Sequence, residues 1–453
     1  MTALTHMFFK EENMNILSAI GLVISLALLI YLTMRGINII IGAIISSVVV
    51  AVTSGLNLAT AMMEDYMAGF TDYFASWFLV FLLGAIFGKV MDETKSADSI
   101  ANGIKKTVGS KRAVFAVIAA AAIMTYGGVS LFVVGFAIYP IARSLFREAN
   151  LPHRFIPAAL VFGSISFTMT APGSPEIQNI IPTEFFGTSP GAGGWIGVLS
   201  ALLIMLAGSL WISRIVKKAV KAGETFSPPH ALREDEQIPE GEHLEKEELP
   251  NVFIAVIPLI MVIVLLNVLS IYMEATAALL AALTIGIFLN CVMAYRFLSE
   301  FWEALAEGAQ NSLVALANTC AVVGFGSVVG VIPIFDSIVD GVVGIPGPPL
   351  LGLAVGVTVV CGITGSASGG LGIALPILGP IYMGQGLDPG EMHRVSALAS
   401  GGIDSLPHNG YVVTTIRVIT GETHKRAYWP IFKLSVVVPT VVVILAVFLY
   451  YIF

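Results

Sequence analysis

The 453-residue chain is short of charge: 23 Lys and Arg and 30 Asp and Glu make up 12% of it, about half the share of an ordinary globular domain. So few charges cannot cover the surface of a soluble protein this size, which excludes a soluble enzyme and a nucleic-acid binder. Cysteine is also scarce. Cys291, Cys320 and Cys361 are widely spaced in apolar stretches, so neither a disulfide framework nor a thiolate metal site is encoded. A charged leader followed by a short apolar core and a small-residue cleavage site is missing. Strict apolar–polar alternation is missing as well, against an outer-membrane barrel. What remains is apolar residues, 56% of the chain, at a mean hydropathy of +0.88. The composition is that of an all-α polytopic membrane protein.

Ten apolar runs are long enough to span a bilayer, at about 15–34, 37–56, 70–91, 155–180, 193–214, 251–270, 274–294, 310–334, 391–420 and 429–453. Two more, 112–146 and 349–383, are interrupted halfway by small polar residues, Thr125 to Ser130 and Thr364 to Gly370. The arm before the first interruption reaches only about 22 Å at 1.5 Å per residue, short of a hydrocarbon core of about 30 Å. Each of these regions is expected to be a helical hairpin that enters and leaves on one side. Residues 1–14 read as a polar extension, with Met14 an alternative start. Residues 217–250 hold 14 of the 53 charges and lack apolar periodicity, as expected of a solvated acidic linker.

A shift of about 236 residues superposes the two halves. Asn15 falls on Asn251, the interruption with Gly128 on that with Thr364 and Ser366, Pro140 on Pro376, and Leu151 on Leu387. Residues 15–216 and 251–453 thus form two repeats, each of five spans and one hairpin. Five crossings invert the second relative to the first, the arrangement of many transporters. With the linker in the cytoplasm, 20 of the 23 Lys and Arg lie on the cytoplasmic side, Lys10 and Arg394 outside, and Arg417 within a span. The positive-inside rule then predicts that both termini are extracytoplasmic.

Four polar interruptions lie at membrane depth: the two hairpin tips, Thr168–Glu176 in the span 155–180, and Gly401–Gly410 in the span 391–420. Unwound backbone at that depth needs protein or a water-filled cavity around it. The N–H groups and positive dipole ends of the half-helices that follow are suited to an anion. Close packing by small residues is the competing explanation for any single Gly pair. Candidate contacts to substrate are Thr125, Gly127, Gly128, Ser130, Thr170, Ser174, Thr364, Ser366, Ser368, Gly369, Ser405 and Asn409. Asp404 and His408, four apart, are candidates for proton coupling, with Glu176 in the first half. The alternative for Asp404 and His408 is a structural pair. Arg417 is open between neutralising Asp404, contacting substrate and reaching the inner interface. His393 and Arg394 read as interfacial. No nucleophile–base pair, metal set or cofactor motif is present to suggest an enzyme.

In these same stretches the chain resembles the gluconate permease (GntP) family within the ion transporter superfamily. The resemblance lies in Thr170-Ala171-Pro172-Gly173-Ser174-Pro175-Glu176-Ile177-Gln178-Asn179-Ile180-Ile181-Pro182-Thr183, in Thr364 through Pro376, and in Asp404-Ser405-Leu406-Pro407-His408-Asn409-Gly410. It implies uptake of a gluconate-like or short hydroxy-monocarboxylate anion with protons across a bacterial inner membrane, with sodium as the alternative ion. It also implies a dimerising scaffold part and a transport part that moves like an elevator. Gly- and Ala-rich tips favour a short acid such as 3-hydroxybutyrate over gluconate.

Overall fold

The computed structural model describes residues 2–35, 37–108, 112–129, 131–229 and 249–453. Among them the chain is helical throughout, and eight helices are long and apolar enough to cross a membrane. In chain order the helices are α1 (Thr2–Met34), α2 (Ile39–Thr53), α3 (Leu58–Glu93), α4 (Ser96–Val108), α5 (Ala113–Tyr126), α6 (Leu131–Glu148), α7 (Ile156–Val161, prolonged by a π turn to Ser166), α8 (Ile177–Phe186) and α9 (Gly194–Lys221). They continue with α10 (Val252–Leu269), α11 (Ala275–Met293), α12 (Phe301–Gly330), α13 (Phe335–Val343), α14 (Pro349–Thr364), α15 (Ala367–Gly384), α16 (Pro389–Ser400), α17 (Gly410–Thr414, prolonged to Ile419) and α18 (His424–Ile452). The segment read as an N-terminal extension begins within α1, and most of the linker, 230–248, lies outside the described residues.

Seven of the ten apolar runs appear among the eight long helices, and the run 37–56 is the shorter α2. The runs 155–180 and 391–420 are not continuous helices. Each is a helix, an unwound stretch and a second helix: α7–α8 and α16–α17. The eighth long helix is α15, the second arm of the region 349–383. The spacing that separates Asn15 from Asn251 also separates α6 (Leu131–Glu148) from α15 (Ala367–Gly384) and brings the start of α5 onto the start of α14.

Local chemistry sets these boundaries. Asn38 and Asn251 accept backbone N–H bonds at the starts of α2 and α10, the usual work of an N-cap. Gly365 ends α14 at φ +58°, and Ser366 at once caps α15 by accepting from Gly369 N–H at 3.1 Å. That permits a two-residue turn. Between α7 and α8, Pro172 and Pro175 lack an N–H and Gly173 takes φ +78°, so no helix can run through.

The longest packed seam joins α3 to α12. Glycine allows it. A Cβ on Gly308 would stand 2.8 Å from Ile86 Cα, and one on Gly324 the same distance from Tyr66 O. The pair α1–α2 packs on α12, and α10–α11 packs on α3 and α4. Beside this framework lie the two helix–turn–helix pairs. α5 packs on α7, α14 on α16, α15 on α8, and α6 on the π turn of α17, so each pair packs on helices of both interrupted runs. Outward-facing side chains such as Val23, Leu206, Phe253 and Val441 are exposed, a surface that lipid covers.

The linker begins docked. Arg154 bonds both Glu224 carboxylate oxygens at 2.7 and 2.8 Å, Asn150 accepts from Phe226 N–H, and Phe226 lies edge-on to His153. Bonding to Arg154 holds the Glu224 carboxyl below the usual carboxylate range. Beneath it Tyr139, His153 and Glu422 form a chain of hydrogen bonds at 3.0 and 2.9 Å.

Two outcomes follow. Gly308→Val forces α3 and α12 apart and costs about 1–3 kcal/mol, read as a lower melting temperature of the purified protein. The Arg154–Glu224 contact rests on an ionised carboxyl whose folded pKa is depressed. It is complete at neutral pH, begins to fade below the ordinary value of 4.5 and is lost as pH falls through the lower folded value. Limited proteolysis of 222–229 across that range should accelerate, and Glu224→Gln should cleave at the fast rate already at pH 7.

Candidate functional site

The two tight turns and the two unwound runs come together at one cavity of about 530 Å³. Four helix starts border it: Leu131–Val133 of α6, Ile177–Gln178 of α8, Ala367–Ser368 of α15 and Gly410–Tyr411 of α17. The opposite wall is α3, from Val80 to Asp92, and α12, from Asn311 to Val322. The cavity runs toward the end of α3, where Lys89 bonds Glu307 at 2.8 Å and Asp92 at 3.2 Å. N–H groups in the first turn of a helix have no partner within it, and here four such turns face one space.

Of the residues singled out in the sequence, Gly128, Glu176, Ser366, Ser368, Asp404 and Asn409 line the cavity. Gly128 takes φ +91°, so only glycine fits its turn without strain. Asn409 caps α17 through Val412 N–H and donates to Gly365 O at 3.1 Å, tying the second turn to the second unwound run. Ser405 donates to Asp404 Oδ1 at 2.9 Å.

The others do not line it. Gly127 packs against Leu259, and a Cβ there would stand 2.8 Å from that side chain. Thr125 is fully buried with an unpartnered hydroxyl. Thr364 donates within its own turn, to the carbonyls of Cys361 and Ser366, and Gly369 donates to Ser366. Ser174 accepts from Glu176 N–H at 3.3 Å. Thr170 is buried, and its carbonyl is its working atom. Ser130 lies outside the described residues. His408 is buried beneath Gly365, where any side chain on that glycine would strike its ring, and it forms no ion pair with Asp404. The four-residue spacing would bring the two together only on a helix, and 401–409 is unwound. Arg417 is exposed at the π turn of α17, away from the cavity.

Arg394 overturns its expected place at the interface. It is 0% exposed, the largest fully buried side chain. Its guanidinium donates to the carbonyls of Ala192 (3.0 and 2.9 Å), Pro190 (3.1 Å) and Thr170. No carboxylate pairs with it among the described residues. His393 is buried too, between the Thr188 hydroxyl at 2.6 Å and Asn179 Oδ1 at 3.2 Å. Three neighbours complete the pattern. Tyr126 donates to Pro172 O (2.7 Å), Asn267 to Gly173 O (3.1 Å) and Asn179 to Ser174 O (2.9 Å). The first unwound run thus has four carbonyls held by four side chains from four helices. The second, with the last turn of α16 before it, has neutral donors: Thr358 to Ala399 O, Thr440 to Gly402 O and Tyr428 to Ser405 O, at 3.1–3.2 Å.

Sequence reasoning also passed over Gln178, Asn311, Ser312, Asn318 and Thr319, all on the cavity wall. The signal for the last four was present as two polar pairs seven residues apart, two turns of one helix face.

The sequence profile of the GntP permease family matches residues 15–305. The chain belongs to the GntP family of permeases. It is 36% identical over 454 residues to the uncharacterized transporter YxjC of Bacillus subtilis, covering 92% of this chain and 95% of that one. It is 28% identical over 229 residues to the low-affinity gluconate transporter of Escherichia coli, 48% of this chain and 47% of that protein. An uncharacterized permease of Haemophilus influenzae matches at 25% over 252 residues, 54% and 50% of the two chains. In this GntP permease the eight long apolar helices are those of a multi-pass membrane protein.

Removing the Arg394 guanidinium leaves buried carbonyls at Thr170, Pro190 and Ala192 without donors. Arg394→Met should destabilise the protein by about 3 kcal/mol or more, and Arg394→Lys should restore only part, because an ammonium cannot fork to three carbonyls. Thermal unfolding in detergent reads both.

Proposed function

We propose that this GntP permease is a symporter that couples a small hydroxy-monocarboxylate anion, such as 3-hydroxybutyrate or gluconate, to protons. One observation carries the reading: four helix starts share a single cavity with the carboxyl side chains of Glu176 and Asp404, while a third, Asp92, is bonded to Lys89 at its far end. The helix starts favour a carboxylate. An ionised Asp404 or Glu176 in the same low-dielectric space repels it. Substrate and proton therefore bind best together, and this linkage is what symport requires. His408 is buried beneath Gly365 and makes no ion pair with Asp404.

The two helix–turn–helix pairs are proposed as re-entrant hairpins in two inverted repeats, supported by the common spacing of α5 with α14 and α6 with α15. The α3–α12 framework would be the scaffold part and would dimerise, while the hairpins and unwound runs would form the transport part and move as an elevator. With the linker on the cytoplasmic side of a bacterial inner membrane and both termini outside, the cavity, which runs toward Lys89, opens inward. Sodium is the second reading. The side-chain and carbonyl oxygens at Ser366, Ser368 and Asn409 are of the kind that ligates it.

The test is uptake of labelled 3-hydroxybutyrate and gluconate into proteoliposomes in sodium-free buffer, with and without an inward proton gradient. Gradient-driven accumulation is expected. Asp404→Asn should reduce accumulation to equilibration while counterflow persists, and full accumulation by that variant would remove Asp404 from coupling. Uptake only after sodium is added would replace the coupling ion.

A further inference from the structure

The amides around the cavity fall into two kinds. Asn409 spends both ends of its amide on protein, on Val412 N–H and Gly365 O. Gln178, Asn311 and Asn318 spend neither end on any hydrogen bond within the protein, although all three line the cavity. Gln178 is the most telling. It is only 9% exposed, and its Oε1 is sealed from solvent without a partner. Buried polar groups in folded proteins are paired with few exceptions, so an amide on a cavity wall with neither end paired calls for an explanation.

Their positions give the ligand its chemistry. Gln178 stands in the first turn of α8, one of the four helix starts that suit a carboxylate. Asn318 faces the same space from α12, among Val314, Ala315 and Val322. α12 meets the second turn at Val323, against which Gly369 lies. Asn318 is five residues away, about 7.5 Å along the axis. Gln178 thus stands at one helix start and Asn318 on the wall formed by α12. An acid whose carboxylate occupies the starts of α15 and α17 presents its carbon chain to Gln178 and Asn318. A hydroxyl on that chain can accept from Gln178 Nε2–H and donate to Asn318 Oδ1. An unsubstituted fatty acid leaves both amides unmet.

We propose that Gln178 and Asn318 form a hydroxyl-reading subsite that selects hydroxy acids over their deoxy analogues. Asn311, two turns farther toward Lys89, extends the same face for longer polyhydroxy acids. The proposal rests on the anion-transport reading and adds to it the groups that choose among anions.

The experiment measures KM for 3-hydroxybutyrate and for butyrate in proteoliposomes holding the full chain, for wild type, Gln178→Leu and Asn318→Leu. Wild type is expected to prefer the hydroxy acid. Each variant should shift the ratio of the two KM values toward butyrate by about tenfold, one hydrogen bond's worth. A variant that only disturbs packing moves both acids alike, so equal changes in both variants overturn the subsite. A wild type with equal KM for the two acids also overturns it and leaves anion transport standing. A wild type that carries neither these acids nor gluconate overturns the transport reading itself, and the subsite with it.

Discussion

Backbone that leaves helical form inside a membrane has to find new partners for its carbonyls, and the region around the cavity is organised by that demand. At Thr170, Pro172, Gly173 and Ser174 the partners are Arg394, Tyr126, Asn267 and Asn179, drawn from α16, α5, α10 and α8. Gly173 N–H is met as well, by Pro190 O at 2.8 Å. With the run fixed at so many points, the start of α8 has one position, and with it Glu176 and Gln178. A buried cation without an acid is expensive. Four charge-assisted bonds to carbonyls offset that cost and make Arg394 a fastener rather than a counter-ion.

The choice of fastener differs between the halves, and the difference has electrostatic sense. The second unwound run contains Asp404, and its carbonyls are met by the hydroxyls of Tyr428 and Thr440, with Thr358 bonding the last turn of α16 before it. A guanidinium beside Asp404 would hold the carboxyl ionised. Neutral donors fix the backbone without biasing the acid. The cation is kept at the other run, whose carboxyl, Glu176, is not among its partners.

Helices and breaks were legible in the sequence because run length, Pro and Gly act locally. The spans, the two turns, and the interruptions at Thr168–Glu176 and Gly401–Gly410 all correspond to elements of the fold. Legibility failed where partners are remote. Arg394 opens an apolar run and so resembles an interfacial residue, and its acceptors lie some 200 positions upstream. Asp404 and His408 looked paired because a helical spacing was applied to backbone that is not helical. The arm α15 proved long enough to cross a membrane, since Pro376 and Pro380 lie inside the helix without ending it. The polar face of α12 was hidden because Asn, Ser and Thr are unremarkable within a span until a cavity is found against them.

The glycine contacts between α3 and α12 carry a mechanical implication. Gly308 brings one end of α12 against Ile86 and Gly324 brings the other against Tyr66, backbone to backbone. Two helices pinned at both ends of their overlap resist sliding and splaying, and so deform as a single beam. Elastic strain from the surrounding bilayer is then borne by the whole pair rather than at one hinge. The interrupted runs at 167–176 and 401–409, beside the cavity, are held in another way, by separate side-chain bonds to their carbonyls.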